Sequence, residues 1–555
     1  MPLGQPLVRN GKTLLSGIDP ARLSRRTADA VPVKDRTLYF CPSPLYGYGL
    51  DRLLPRLEEE APSSAILCIE ADAELYELSK KNIEPSIAQN KKLHITNICE
   101  KAELCALVRE KWGARAFRRI ETVRLSGGWQ LFPELYDSLC EALSREIAAD
   151  WSNAMTLAKL GRLYIRNFLR NVSLIPQFPS IDKLSFGSSP VLVLGAGPSL
   201  DETLDALCRS FAQTLAPESR PFKIVCVDTC LGALKDRNIT PDLAVVLESQ
   251  HWNLRDFIGC NGWKIPSAVD LSALPESAQM LGDGFLFMTP WIGLSIFERL
   301  KKETLLPAVI PPLGSVGLTA VEIARRITGG KIICAGLDFS FTADKYHARA
   351  TPGHRGKLNT QTRLRGILNA VVYSSASFSA SSKNGFSVRT NPVMQNYRAL
   401  FEQEFASDPR LFDIEGSGLS LGIKTLSMEE ALSLLEKEER GRSTTECTEL
   451  HGVEKKREGE RGTERDKLKE KVLTFLEGEK KRLEDLRGIL TGESDTGRLN
   501  VLVDECDYLW AHFPDYSGGR RPDLKENSPS ALSFLNRLRA EIDPMLKLIE
   551  RVIHA

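Results

Sequence analysis

The sequence contains no run of 18 uninterrupted apolar residues, and residues 1–17 include no apolar stretch of signal-peptide length. We therefore expect neither a membrane span nor a secretory leader. Charge of one sign is not in excess, because 73 Lys and Arg are balanced by 72 Asp and Glu. This balance gives no global electrostatic reason to expect nucleic acid or an anionic membrane as a partner.

Paired cysteine motifs are also missing. The 12 cysteines are scattered without any CxxC pair, and several lie in apolar runs such as Ile224–Val227. This usage predicts reduced core thiols in a cytoplasmic protein, rather than a disulfide framework or a zinc site. We predict no metal-binding set from the sequence.

A chain of 555 residues is too long for one domain, since domains average about 150 residues. Short apolar runs alternate with amphipathic helical stretches in two groups, at about 35–130 and 188–340. Near-continuous apolar strands separated by helices favour parallel sheets covered on both faces. The fold class predicted is α/β, with two Rossmann-like parallel-sheet domains followed by a helical C-terminal region. The clearest strands are Leu38–Cys41, Ala65–Ile69, Val191–Leu194, Lys223–Val227, Leu243–Leu247 and Lys331–Ala335.

One stretch differs sharply in composition. Between Glu436 and Glu470, 21 of 35 residues are charged, which is typical of a flexible linker or a solvated helix. Beyond it, apolar residues recur at helical spacing, and these helices could serve packing or homo-oligomer formation. The predicted organisation is an N-terminal Rossmann-like domain (1–150), a helical bridge (151–187), a central domain (188–430), a charged linker (431–470) and a C-terminal helical bundle (471–555).

The strand Val191–Leu194 runs into a glycine turn with the sequence GAGPS at 195–199. Ser199 and Glu202 have the spacing of a capping box, which marks a helix start. Gly195 and Gly197 allow backbone amides to approach a phosphate or sugar at the positive end of this helix, with Ser199 beside them. A tight turn without a ligand is the alternative. Leu200 replaces the third glycine of the dinucleotide fingerprint, which disfavours NAD.

Further polar residues follow the next strands. Asp228 and Thr229 end one strand and Glu248 ends another, so that these carboxylates could converge on one crevice and accept from ribose hydroxyls. Each could equally be a solvated loop carboxylate. A second glycine-rich helix start contains Gly314, Ser315 and Thr319.

The strand at 331–335 leads into a loop that concentrates polar side chains, including Asp338, Asp344 and His347. With an ordinary pKa of about 6.5, a histidine beside carboxylates is a candidate general base. His347 is the first candidate, Asp344 an alternative, and His354 a weaker one. A surface histidine without a catalytic role is the competing interpretation.

Together these segments resemble the bacterial motility accessory factor (Maf) family. The central domain of that family is MptE-like, shared with archaeal 6-hydroxymethyl-dihydropterin pyrophosphokinases. The motifs that carry the resemblance are GAGPSL (195–200), VDT (227–229), ITPDLAVVLE (239–248), GSVGLTAVEIA (314–324) and GLDFSFTADKYHA (336–348), with Asn167 and Asn171 in the bridging helix.

The resemblance implies a flagellin glycosyltransferase that moves a nonulosonic acid from a CMP-activated sugar to Ser or Thr hydroxyls with inversion. The sequence departs from the family pattern at Glu248, where Asp is usual, and at Leu337, where Gln is frequent. The partners implied are the CMP-sugar donor and flagellin. A first alternative is an MptE-like pyrophosphokinase using ATP and Mg²⁺, with Asp228 and Asp338 as metal ligands. A second is a non-catalytic flagellar scaffold.

Overall fold

The computed structural model describes most of the chain. It covers residues 6–113, 116–211, 216–260, 262–342, 345–364, 372–373, 376–436, 458–492, 496–514, 516, 521–524 and 528–554, without the side chains of residues 152 and 458–461. The chain divides into two compact units, one formed by Met1–Leu160 with Ala511–Arg521 and one by Gly161–Trp510 with Pro522–Ala555.

The first unit is built on a four-stranded parallel sheet in the order β5-β4-β3-β6. Alternate residues of β3 enter different hydrophobic clusters, with Leu38 and Phe40 in one and Tyr39 and Cys41 in the other. The sheet is therefore covered on both faces, as its apolar strands predict. Its elements are β1 (Leu7–Arg9), β2 (Lys12–Leu15), α1 (Pro20–Ala30), β3 (Thr37–Pro42), α2 (Leu50–Glu60), β4 (Ala65–Ile69), α3 (Ala73–Asn82), α4 (Pro85–Ala88), β5 (Leu93–Thr96), α5 (Lys101–Trp112), β6 (Arg119–Thr122) and α6 (Pro133–Asn171), whose last residues belong to the second unit.

The second unit contains an eight-stranded parallel sheet in the order β11-β10-β9-β8-β7-β12-β15-β16. Its sheet region comprises β7 (Val191–Leu194), α7 (Leu200–Ser210), β8 (Lys223–Val227), α8 (Leu231–Lys235), β9 (Leu243–Val246), β10 (Ser267–Asp270), α9 (Pro275–Ala278), β11 (Gly284–Phe287), α10 (Ser295–Lys302), α11 (Val316–Ile327), β12 (Ile332–Ala335), α12 (Pro352–Thr360), the hairpin β13 (Phe378–Ser381) and β14 (Ser387–Thr390), α13 (Pro392–Phe405), β15 (Leu411–Ile414), β16 (Lys424–Leu426) and α14 (Met428–Glu436). The prediction of two parallel sheets followed by helices is confirmed.

The C-terminal helices are α15 (Glu458–Thr491), α16 (Thr496–Glu505) and α17 (Pro529–Ile553). They belong to the same compact unit as the large sheet, instead of forming a unit of their own. The faces predicted from helical spacing are buried, among them Leu476 and Leu483 on α15 and Leu538 and Ile542 on α17. Within the described residues, no helix is long and apolar enough to cross a membrane.

Two of the predicted boundaries fall elsewhere in the structure. The bridging helix starts at Pro133, ahead of the predicted boundary at 150, and ends at Asn171. In the charged stretch, residues 458–470 form the first turns of α15, with exposed side chains over 462–467, and residues 437–457 lie outside the described ranges.

A buried ion pair joins the C-terminal helices to the sheet region. Arg299 on α10 donates to both carboxylate oxygens of Glu479 on α15, at 2.6 and 2.8 Å, and the Glu479 side chain is fully buried. Nearby, the amide and hydroxyl of Ser295 donate to Asp507 at 2.8 and 2.9 Å. Removing one partner of a buried pair leaves an uncompensated charge and typically costs about 3–5 kcal/mol.

Mild trypsin treatment is therefore expected to cut first within 436–470, because this stretch is rich in Lys and Arg, while the two fragments stay bound to each other. Size-exclusion chromatography of the nicked protein should show co-elution. Glu479→Ala should release the C-terminal fragment, whereas Glu484→Ala, which removes an exposed carboxylate on the same helix, should not. Separation of the wild-type fragments without denaturant would contradict this packing.

Candidate functional site

The glycine turn at 195–199 lies where the strand order of the large sheet reverses. From β7 the chain proceeds through β8 and β9 to one edge of the sheet, and β12 then returns to the other side of β7. In open parallel sheets, ligands bind outside the carboxyl ends of the strands at this point. The loops that follow β7 and β12 therefore form the base of the candidate site.

The two glycines of the turn are required by the packing of these loops. A Cβ atom at Gly195 would lie 2.5 Å from the Gly336 carbonyl oxygen, and one at Gly197 would lie 2.6 Å from Asp338 Oδ2. The Gly195 amide donates to the Ala335 carbonyl and the Gly197 amide to the Gly336 carbonyl, both at 2.8 Å. These amides are used within the protein, so the expectation that they hold a phosphate does not fit this geometry.

Ser199 and Asp338 clamp the same two loops together. The Ser199 amide donates to Asp338 Oδ2 at 2.7 Å, and its hydroxyl donates to Oδ1 at 2.5 Å. Asp338 is only 2% exposed, and this burial raises the pKa of its carboxyl group. The predicted capping box is wrong, because the Ser199 side chain makes no hydrogen bond to the start of α7 and donates to Asp338 instead.

The start of α11 offers, at this edge, backbone donors that have no partner among the described residues. Gly314 has a φ of +70°, a left-handed conformation that favours glycine. The first amides of a helix have no partner within it, and the Ser315 side chain makes no capping bond. The helix lies against the loop that follows β12, since a Cβ at Gly317 would lie 2.6 Å from Leu337 Cδ2. Thr319 does not face a ligand, because it is fully buried and its hydroxyl donates to the Ser315 carbonyl at 3.2 Å.

Carboxylates gather where β8 and β9 end. Thr229 Oγ1 lies 3.2 Å from both Asp228 Oδ1 and Asp256 Oδ2. Burial raises the pKa of both carboxyl groups, the Asp256 charge raises that of Asp228 further, and Glu248 contributes to that of Asp256. Asp228 Oδ2 is buried and makes no hydrogen bond of ordinary geometry among the described residues, although the Asn253 side chain lies close enough to lower the pKa of Asp228. Asp228, Thr229 and Glu248 thus share one neighbourhood, which also includes Asp256, a residue that the sequence motifs did not indicate.

Two buried asparagines fix the loops around this neighbourhood. The Asn167 side-chain amide donates to the Ser249 and Ser272 carbonyls at 3.0 and 3.1 Å. One helical turn later, the Asn171 amide donates to the Leu271 and Ala273 carbonyls at 3.0 and 2.8 Å. The end of α6 therefore positions the loops after β9 and β10.

The His347 loop is attached directly to the glycine turn, because the Ala348 amide donates to the Ala196 carbonyl at 3.0 Å. His347 Nδ1 is buried without a hydrogen-bond partner among the described residues, and burial together with the Lys357 charge lowers the pKa of His347 to about 4. The expectation of an ordinary pKa is therefore wrong. His354 Nδ1 accepts from the Ala350 amide at 3.3 Å. Asp344, the alternative base, lies outside the described residues.

No three His, Cys, Asp or Glu side chains of the described ranges converge as a group that could hold a metal. Asp228 and Asp256 remain a pair of adjacent carboxylates, whereas the Asp338 carboxylate already accepts hydrogen bonds from Ser199. Asp338 therefore fits the role of a metal ligand poorly.

Comparison with known proteins agrees with this architecture. Residues 166–344 match the family model described as 6-hydroxymethylpterin diphosphokinase MptE-like, so this part of the chain contains an MptE-like domain. The matched range includes both asparagines, the glycine turn, the loops after β8 and β9 and the first residues of the loop after β12, and it ends before His347.

Two individual proteins resemble nearly the whole chain. An uncharacterised protein of Treponema pallidum (strain Nichols) is 29% identical over 547 residues, covering 95% of this chain and 90% of its own length. The solved structure of a Maf glycosyltransferase from Magnetospirillum magneticum AMB-1 matches with a TM-score of 0.51 and 14% identity, over 99% of this chain and 84% of that one. The predicted resemblance to the Maf family with an MptE-like domain is confirmed at the level of domain and fold.

Proposed function

We propose that the protein is a cytoplasmic glycosyltransferase that moves a nonulosonic acid from a CMP-activated sugar to Ser or Thr hydroxyls of flagellin. The observation that carries this proposal is the mixture of groups at one edge of the large sheet. Donors at the start of α11 lie at the same edge as two acceptors, the buried Asp228 and the partly exposed Glu248. A nucleotide requires both kinds of group, because its phosphate accepts hydrogen bonds whereas its ribose hydroxyls and base amine donate them.

The chain supplies a residue for each step of the reaction. Asp228 and Glu248 accept from the nucleoside, and the first amides of α11 donate to the phosphate. His347 accepts the proton of the acceptor hydroxyl as its oxygen bonds to the anomeric carbon, while the bond from that carbon to the phosphate oxygen breaks and CMP leaves. With a pKa near 4 in the free protein, His347 is neutral at pH 7 but a weak base, so that its basicity has to rise when the donor binds.

The similarity to a solved Maf glycosyltransferase structure supports a transferase. A Maf glycosyltransferase has the fold of this chain along 99% of its length, including the parts outside the MptE-like domain. A small-molecule kinase has no evident need for those flanking parts. The identities of the donor sugar and of the acceptor are part of this proposal and do not come from the comparisons.

A pyrophosphokinase is the second candidate, because one specific observation favours it. Asp228 and Asp256 share a hydroxyl between them, and Asp228 Oδ2 makes no hydrogen bond of ordinary geometry among the described residues, so the pair could provide the oxygen ligands that Mg²⁺ prefers. A magnesium ion held by these two carboxylates would supply positive charge to stabilise the phosphates of ATP.

Calorimetric titration with CMP and with ATP plus Mg²⁺ separates these functions. The transferase predicts tight binding of CMP that does not depend on Mg²⁺ and is lost in Asp228→Asn. Glu218→Gln, which changes an exposed carboxylate before the start of β8, is the control. Tight ATP binding only with Mg²⁺ would favour the kinase, and binding of neither nucleotide would favour a flagellar scaffold.

A further inference from the structure

Positive charge is concentrated in the segment that follows β12. Residues 345–401 contain nine Lys and Arg and no Asp or Glu, although the whole chain has 73 Lys and Arg against 72 Asp and Glu. This segment includes His347 and the helix α12, which are attached to the glycine turn through the Ala348 amide. The basic segment therefore adjoins the candidate site.

Most of these cations already have partners in the structure. Arg349 pairs with Asp201 and Asp205 at 3.4 and 3.3 Å, and Arg355 pairs with Asp236 at 3.7 Å. Lys357 lies on α12 and is partly buried, yet no carboxylate of the described residues lies within ion-pair distance of it. Desolvation without a counterion disfavours the charged ammonium, and a bound anion would relieve this cost.

Lys357 lies close enough to His347 for its charge to lower the pKa of the imidazole. A Cβ built on Gly353 would lie 3.5 Å from His347 Nδ1, so this face of α12 packs against the imidazole. Lys357 follows Gly353 by four residues and therefore lies on the same face, one turn further along. His347 Nδ1 is itself buried without a partner among the described residues, and a neutral imidazole carries one N–H that can donate to an anion.

We propose that Lys357 and His347 form an anion subsite that binds the phosphate or the carboxylate of the nucleotide-sugar donor. This assignment rests on the proposed function, because it takes the donor to be a CMP-activated sugar acid. The ammonium supplies the charge, the imidazole supplies a directional donor, and charge-assisted hydrogen bonds of this kind are the strong ones in protein sites.

Binding of the anion also prepares His347 for its proposed role as base. Lys357 is the charged group of the described residues that acts on the imidazole, and Tyr346 is the titratable ring next to it, with centroids 4.4 Å apart. An anion beside Lys357 offsets the repulsion and favours the imidazolium, so that the pKa of His347 rises from about 4 toward its ordinary value. The base would then gain strength only when the donor is present.

The test uses the full-length protein and the variants Lys357→Met and Lys357→Arg, with Arg355→Met as a control on the same helix. Calorimetric titrations with cytidine, CMP, the CMP-sugar and inorganic pyrophosphate give the affinities. Lys357→Met should weaken anion binding by roughly tenfold or more, leave cytidine binding unchanged, and be partly rescued by Lys357→Arg. An equal loss for CMP and the CMP-sugar assigns the phosphate to the subsite, and a loss for the CMP-sugar alone assigns the carboxylate.

NMR of ¹³C-labelled histidine gives a second readout that does not depend on activity. The pKa of His347 should rise by about one unit or more when CMP or pyrophosphate binds, and Lys357→Met should raise it in the free protein because a like charge is removed. Unchanged anion affinity in Lys357→Met with an unchanged pKa of His347 would overturn the subsite while leaving the proposed function standing. Lys357-dependent binding of pyrophosphate without any binding of CMP would keep the subsite and overturn the proposed function.

Discussion

Gly197→Ala is expected to destabilise the second unit rather than to remove a ligand contact. The new Cβ would lie 2.6 Å from Asp338 Oδ2 and 2.7 Å from the Gly336 carbonyl oxygen. Neither atom can move freely, because Asp338 is held by Ser199 and the Gly336 carbonyl accepts from the Gly197 amide. Overpacking of this kind costs about 1–3 kcal/mol, and Gly197→Val should cost more.

Differential scanning calorimetry of the purified variants tests this expectation. Gly197→Ala should lower the melting temperature of the second unit by about 1–4 °C, because the cost of about 1–3 kcal/mol is divided by the large unfolding entropy of a unit this long. Gly293→Ala is the matched control, because a Cβ there would meet nothing within 4 Å. A variant at 197 that melts like the wild type but no longer binds CMP would show that the glycine serves the ligand directly.

The second large effect is expected at His347. Its replacement by Ala should lower the rate of sugar transfer by about 10²–10⁴-fold, the usual cost of losing a general base. Binding of CMP should weaken by a much smaller factor, because only one donor of the proposed anion subsite is lost, while Lys357, the start of α11 and the carboxylates after β8 and β9 remain. The base acts unprotonated, so the wild-type rate should fall as pH decreases through the pKa that His347 has with the donor bound.

The roles of the two histidines are distinguished by measuring transfer rates and CMP affinities side by side for His347→Ala and His354→Ala. His354 Nδ1 already accepts from the Ala350 amide, so its removal should affect transfer much less. Wild-type rates in His347→Ala would end its assignment as base. A loss of CMP affinity as large as the loss of rate would make it a binding residue instead.

Much of the large sheet could be predicted because its central strands are short, continuous apolar runs. The runs at 191–194, 223–227 and 243–247 correspond to β7, β8 and β9 within one residue. Flanking strands such as β10, with the sequence SAVD, and β16, with KTL, are too short and too polar to stand out from loops. Their strand identity comes from pairing with neighbours, which local sequence does not encode.

The candidate site could be located from sequence, but the roles of its residues could not. Gly195 and Gly197 were correctly placed after a buried strand, yet they are required by a loop more than 130 residues later in the chain. Asp256 lies in a 3₁₀ helix without a motif, and Lys357 is distinguished by its partial burial and its effect on the pKa of His347. Such features depend on tertiary contacts.

The most direct test of the proposed function is the transfer reaction itself. The purified protein is incubated with a CMP-activated nonulosonic acid and with flagellin from a deletion strain that does not produce the protein. The intact mass of the flagellin is then measured by mass spectrometry. The proposal predicts mass increments of one sugar residue, located on Ser or Thr, with the wild-type protein and almost none with His347→Ala. Unmodified flagellin after incubation with a folded, CMP-binding wild-type protein would contradict it.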